Sequence, residues 1–282
     1  MCGIYGIVKF NGSNVESKVL KCILKELTLE SKIRGRDATG YAFMGKNGAT
    51  IYKHNVHSDN FVSLSNYKKV MNENISNNED GCPYSIIGHT RRKTLGTPSN
   101  PNNNHPIVVE SIIGVHNGYI TNHDTVFDEI NKRCNGKNAR IAEVDSEAIF
   151  ALINYYSKES KHPSICTNKN LIGNISNPTS TAIMKAAKKL EGSFTCALLD
   201  ADNPARLWVF KAKGVLTINY YRKEKLLIFA SIDQFIENAV SAYNFSDPDT
   251  LLIPDFSGLC FDAVRGIYNS FALDKTNYTM AY

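Results

Sequence analysis

Cys2 is the residue whose position most directly suggests chemistry. An initiator methionine is normally trimmed when the next residue is as small as cysteine, which would leave Cys2 with a free α-amine. That amine ordinarily titrates at about 7.7–8.0 and the thiol at about 8.5. An amine on the nucleophile's own residue can act as its base, directly or through a water, with no histidine required. The competing reading is a packed cysteine at the start of a strand. Gly3 favours the chemical one, because a residue without a Cβ lets a substrate or a neighbouring backbone come close.

Five other segments carry polar groups at suggestive spacing. Arg34-Gly35-Arg36-Asp37-Ala38-Thr39-Gly40 follows the first helical pattern; local physics favours a surface turn with Gly35 as the helix C-cap. Gly88-His89-Thr90-Arg91-Arg92-Lys93-Thr94-Leu95-Gly96 ends an apolar run, and an arginine fork there suits a carboxylate, with the Thr94 hydroxyl beside it. Arg92 and Lys93 read as a solvated basic turn. Asn104-His105-Pro106 closes an Asn-rich loop, where His105 reads first as a packed histidine. His116-Asn117-Gly118 offers a side-chain amide and a backbone N–H, both suitable oxyanion donors. By spacing alone, however, Asn-Gly is the strongest short hairpin signal. In Glu143-Val144-Asp145-Ser146-Glu147, Asp145 suits either a substrate ammonium or a helix N-cap.

Alternating and helical periodicities show what must hold these groups in place. Strands are predicted at Gly3–Phe10, Tyr41–Met44, Thr50–Lys53, Tyr84–Thr90 and Ile107–Val115. Further strands follow at Phe194–Leu199, Leu207–Phe210, Val215–Ile218, Leu226–Ala230, Leu251–Ile253 and Leu259–Phe261. Helices are predicted at Val15–Leu29, Asp124–Cys134, Asp145–Tyr156, Thr181–Leu190 and Ile232–Tyr243. Asn72–Asp80, Thr97–His105 and Lys158–Pro178 read as loops. Strands cluster with strands and helices with helices, which is not the alternation of a parallel sheet. Two packed sheets with helices outside fit an α+β domain. No linker divides residues 1–282, so one domain is expected.

Composition narrows the function classes. The 282 residues are 43% hydrophobic and 21% charged, ordinary globular usage that excludes a disordered or fibrous chain. No apolar run reaches the length of a membrane span, so no membrane partner is expected. The net charge of +5 is scattered, without a run of like charges, so direct nucleic-acid binding is not expected. The N-terminus has no secretory pattern, which points to the cytoplasm. The seven cysteines are odd in number and widely spaced without a CxxC pair, so neither a disulfide framework nor a metal site is expected.

Taken in order, Met1-Cys2-Gly3-Ile4, Arg34-Gly35-x-Asp37-x-x-Gly40, Gly88-His89-Thr90-Arg91-x-x-Thr94-x-Gly96, Asn104-His105-Pro106, His116-Asn117-Gly118 and Asp145-Ser146-Glu147 resemble the class II glutamine amidotransferase domain. Ala230-Ser231 is a weaker match. This is the N-terminal-nucleophile glutaminase domain of glucosamine-6-phosphate synthase and amidophosphoribosyltransferase. The resemblance covers nearly the whole chain. It implies a four-layer αββα sandwich and a glutaminase without a cofactor. It makes Cys2 the nucleophile, Asn117 and Gly118 the oxyanion hole, and Arg34 and Gly35 the support of the nucleophile end. Arg91, with Thr94 beside it, becomes the α-carboxylate ligand and Asp145 the α-ammonium partner; His105 joins this substrate-binding set. Two departures stand out: Arg92 replaces a common aromatic residue, and Lys211–Thr217 lacks the usual Pro-Leu pair. No synthase domain follows the glutaminase segment, so a separate ammonia-accepting subunit is the implied partner, with homo-oligomerisation left open. Two alternatives stay open: a hydrolase of another γ-glutamyl amide, and a catalytically silent binding domain.

Overall fold

The computed structural model describes residues 2–76, 81–134, 140–161 and 177–274. The N-terminal half runs β1 (Gly3–Lys9), α1 (Ser17–Glu30), β2 (Ala38–Gly45), β3 (Gly48–His54), α2 (Ser58–Phe61), α3 (Ser65–Met71), β4 (Tyr84–Arg91), β5 (Ile107–Val109), β6 (Ile112–Ile120) and α4 (His123–Arg133). The remainder runs α5 (Ser146–Lys161), α6 (Pro178–Ala187), β7 (Gly192–Asp200), β8 (Arg206–Lys211), β9 (Thr217–Tyr221), β10 (Leu226–Ala230), α7 (Asp233–Val240), β11 (Asp249–Thr250), β12 (Ser257–Asp262) and β13 (Ile267–Ala272).

These strands form two antiparallel sheets. One has the order β11-β9-β10-β1-β4-β2-β3 and the other β13-β12-β8-β7-β6-β5. The inner faces bury Ile4, Val8, Ile87, Val115, Leu199 and Phe229 in one apolar layer between the sheets. The apolar stripe of α1, with Leu20, Ile23, Leu24 and Leu27, packs with α7 on the outer face of the first sheet. Helices α5 and α6 bury Ile149, Phe150, Ile153, Ile183 and Ala186 on the outer face of the second. The central strands of both sheets are thus buried on two sides, giving four layers in the order αββα. This is the architecture the sequence implied.

Local readings fared less evenly. The strand expected over Ile107–Val115 is a hairpin, because the chain turns at Glu110 with φ +54° and β6 then runs on to Ile120. The turn reading of Asn117-Gly118 is overturned: both sit inside β6, opposite Thr195 and Phe194 of β7. Nine-residue pairing with β7 overrides the local turn preference. The C-cap reading of Gly35 fails too. Gly35 is buried, and a Cβ there would stand 2.4 Å from the Thr90 carbonyl oxygen, so glycine is required for close approach to β4. Helices α2 and α3 and strand β13 were not predicted, and Asn72–Ser76 is helical rather than loop. Most of the stretch Lys158–Pro178 lies outside the described residues.

Candidate active site

Strand pairing builds the surroundings of Cys2. Gly3 of β1 lies opposite Thr90 of β4, so Cys2 comes beside the end of β4. There the Arg92 backbone N–H donates to Cys2 Sγ at 3.2 Å. The Cys2 carbonyl is held from two directions. Arg34 Nε donates to it at 2.7 Å, and Asn117 Nδ2, reaching over from the other sheet, donates at 2.8 Å. Ser231, just past β10, completes the arrangement. Its N–H donates to Ile4 O at 2.8 Å, while its buried Oγ accepts from Ile4 N at 2.9 Å and from Asn117 Nδ2 at 3.2 Å. The first turn of chain before β1 is therefore fixed by residues from four separate segments.

Cys2, Arg91, Asn117, Gly118 and Asp145 all line one cavity of about 600 Å³. That volume is in the range of small-molecule sites. Thr94 and His105 also reach its wall. Among the candidate residues, Gly35 alone stays off the wall and lies against the backbone of β4.

The polar groups on the wall are pre-oriented. Arg91 is buried; its Nη1 donates to Asn104 Oδ1 at 2.8 Å, and its Nη2 donates to the carbonyls of Leu95 and Gly96, the latter at 2.9 Å. A guanidinium has five N–H groups, so donors remain for a ligand. Lys53 Nζ donates to the Asn104 and Pro106 carbonyls at 2.8 and 2.9 Å, clamping the segment that orients Arg91. Asp145 is buried, and its Oδ2 accepts the Ile120 N–H at 2.7 Å. Thr94 is exposed at the rim.

Three buried histidines back the cavity. His89 Nε2 donates to the His116 carbonyl at 3.2 Å, and His116 Nδ1 lies 2.8 Å from Ser146 Oγ. The His105 ring stacks on His89 with centroids 4.1 Å apart, and neither His105 ring nitrogen has a hydrogen-bond partner among the described residues. Burial holds His89 down to about 3 and depresses His105 and His116, so all three are neutral at ordinary pH. His105 thus lines the cavity while filling the packed role read first. Burial also pushes the Cys2 thiol up, partly countered by the Arg92 N–H, Arg91 and Arg34. Among the described residues no cluster of side chains has metal-ligating composition, and no helix is long and apolar enough to cross a membrane.

Sequence reasoning gave Ser231 only a weak place and missed Lys53. The signal for Ser231 is spatial: it lies more than two hundred residues from Ile4 in the chain. Lys53 sits in a strand that reads as an ordinary exposed edge.

No protein-family model matches the chain. Glutamine–fructose-6-phosphate aminotransferase (isomerizing) of Bacillus cereus is 27% identical over 244 residues, covering 84% of this chain and 34% of that protein. The enzyme of the same name from Staphylococcus epidermidis is 26% identical over 297 residues, covering 98% of this chain and 43% of that protein. The chain thus spans between a third and a half of the length of these relatives. Among solved structures, glutamine phosphoribosylpyrophosphate amidotransferase from B. subtilis superposes with a TM-score of 0.60 at 14% identity, over 98% of this chain and 50% of that one. A structure described as the allosteric regulatory enzyme of purine biosynthesis gives 0.61 at 15% identity, with the same coverage. In sequence the chain is thus similar to these glutamine-dependent aminotransferases, and in fold to these amidotransferase structures.

Proposed function

We propose that the chain hydrolyses the side-chain amide of glutamine to glutamate and ammonia through a γ-glutamyl thioester on Cys2. One observation carries the reading. The cavity that holds the Cys2 thiol also holds a buried guanidinium, Arg91, and a buried carboxylate, Asp145. Together these complement the carboxylate and ammonium of an amino-acid head.

In this reading the α-amine freed by loss of Met1 takes the thiol proton. The sulfur attacks the amide carbon, and Asn117 and Gly118 bind the oxyanion. Both N–H groups of Asn117 are engaged within the protein, by Cys2 O and Ser231 Oγ. Binding the oxyanion therefore exchanges the longer bond, to Ser231, for one to substrate. Collapse breaks the C–N bond and releases ammonia with the transferred proton; water then cleaves the thioester. Arg34 and Gly35 act by fixing the nucleophile's backbone, and Thr94 and His105 by shaping the substrate end.

The relatives' names describe transfer of nitrogen from glutamine, and ammonia here passes to a separate acceptor enzyme. The glutaminase unit comprises residues 1–282. The test is glutamate release from glutamine by Met1-processed protein beside Cys2→Ala. Release that persists in Cys2→Ala would remove the nucleophile from the scheme.

A further inference from the structure

The cavity carries more positive charge than glutamine can use. Four cationic residues line it, Arg34, Arg91, Arg92 and Lys213, against one carboxylate, Asp145. Arg34 is committed to the Cys2 carbonyl. Arg91 and Asp145 match the zwitterionic head of an amino acid. The acids nearest Arg91 outside the wall, Asp37 and Glu143, already accept from the backbone N–H groups of Lys93 and Thr97. Arg92 and Lys213 are both exposed, and no carboxylate pairs with either among the described residues.

Their place in the fold is as informative as their charge. Arg92 lies against the thiol, since its own N–H donates to Cys2 Sγ. Lys213 lies beside the oxyanion end. Its carbonyl accepts from Thr195 Oγ1 at 3.1 Å, and Thr195 is the strand partner of Asn117. Both cations therefore flank the end of the cavity where the scissile amide sits, the end from which the leaving amine departs. Ammonia leaving glutamine offers them no anionic partner.

We infer that the site takes γ-glutamyl amides whose amine half carries a carboxylate, Arg92 and Lys213 binding that second anion. This inference rests on the reading of Cys2 as a γ-glutamyl amidase. The chemistry balances without a further reactant. The S–C bond forms as the C–N bond breaks, the leaving amino acid takes the thiol proton, and water returns the enzyme by releasing glutamate. The same γ-glutamyl head is read by the same two residues, so glutamine remains a substrate.

The experiment compares glutamine, γ-glutamylalanine and γ-glutamylalaninamide on the full, Met1-processed chain. The last two differ by one charge at nearly constant size. Exposed charge pairs of this kind give a preference of about three- to tenfold in kcat/KM for the carboxylate at low salt. The preference shrinks toward unity at about 0.5 M salt, where the screening length is a few ångströms. It falls in Lys213→Gln, while glutamine turnover in that variant stays within about twofold. Turnover of γ-glutamylalanine without turnover of glutamine supports the inference and overturns the glutamine reading. Cys2-dependent turnover of glutamine with equal rates on the other two, or none, overturns the inference alone. Turnover of none of the three overturns both.

Discussion

Ser231 Oγ lies 3.2 Å from Asn117 Nδ2 and 2.9 Å from Ile4 N, so one buried hydroxyl joins the oxyanion-donor candidate to the strand that follows Cys2. Asn117 belongs to one sheet and Ile4 to the other. The relative placement of thiol and amide therefore depends on a contact that neither sheet makes by itself.

That contact separates two kinds of loss. Asn117→Ala removes the proposed donor to the developing oxyanion and is expected to lower kcat by about 10²- to 10³-fold. Ser231→Ala leaves the donor in place but frees its position, and also strands the buried Ile4 N–H, for about 1–3 kcal/mol of stability. Its kcat is expected to fall about tenfold, through the loosened Ile4 backbone beside Cys2 rather than through the Asn117 bond, which the oxyanion replaces. Neither change touches Arg91 or Asp145, so KM for glutamine should move little in both. Steady-state kinetics on the two variants, with denaturant titrations of each, gives the comparison. A rise in KM equal to the fall in kcat for Asn117→Ala would remove it from the oxyanion role.

The substrate head gives the opposite signature. Asp145→Asn keeps an oxygen that can accept from Ile120 N but removes the charge facing an ammonium. A hydrogen bond to a charged group contributes about 1.5–3 kcal/mol, so KM for glutamine should rise about ten- to a hundredfold. The value of kcat should change far less. Arg91→Lys is expected to be nearly as damaging, because a point charge cannot satisfy Asn104, Leu95 and Gly96 together as the guanidinium does. Substrate titrations of both variants decide this, and an unchanged KM would place the amino-acid head elsewhere.

The contrast between Cys2 and Asn117 shows what the chain reveals by itself. Cys2 was legible because its chemistry follows from its position in the sequence, and β1 because its apolar run is buried on both faces. Two packed sheets with helices outside were legible in the grouping of strands and helices, and the four-layer αββα order in the resemblance of the ordered motifs. Asn117-Gly118 misled as local sequence, since the dipeptide that codes a turn is the same one that β7 forces into a strand. Gly35 misled for a related reason: what demands glycine is the backbone of β4, a distant partner. Short α2 and α3 leave no periodicity long enough to read. The resemblance of ordered motifs supplied roles that none of these segments carried alone.

Cys2 should show an alkaline titration. Burial disfavours the thiolate, so its midpoint lies above the ordinary thiol value of about 8.5, despite the Arg92 N–H and the nearby arginines. The thiolate is the reactive form, so alkylation of Cys2 by iodoacetamide should accelerate as pH rises through 8 and beyond, by about tenfold per unit below the midpoint. The same shift means the folded protein holds this proton longer than the unfolded chain. Its contribution to stability is complete below the unfolded value and is lost as pH rises through the folded one. Turnover should depart from this profile, because in the proposed mechanism the α-amine removes the proton during attack. Protein retaining Met1 should therefore alkylate but not turn over glutamine. Equal turnover with and without Met1 would exclude the α-amine as base.

Gly118 provides a test in which backbone and chemistry coincide. Its φ is +138°, a region L-residues rarely adopt, and a Cβ built there stands 2.0 Å from the Ser193 carbonyl oxygen. That oxygen belongs to the paired backbone of β7 and cannot swing aside as a side chain would. Gly118→Ala must therefore shift β6 against β7 and rotate the Gly118 backbone, at about 2–3 kcal/mol of strain. The shift falls on the residue next to Asn117, so activity should fall by at least as much as in Asn117→Ala while the fold survives. Denaturant midpoints and glutamate release, measured on the same preparation, check both halves. Full activity in a destabilised Gly118→Ala protein would mean that the Gly118 backbone takes no part in holding the oxyanion. An inactive variant of unchanged stability would mean that β7 yields to the new methyl group more readily than the packing of the two strands implies.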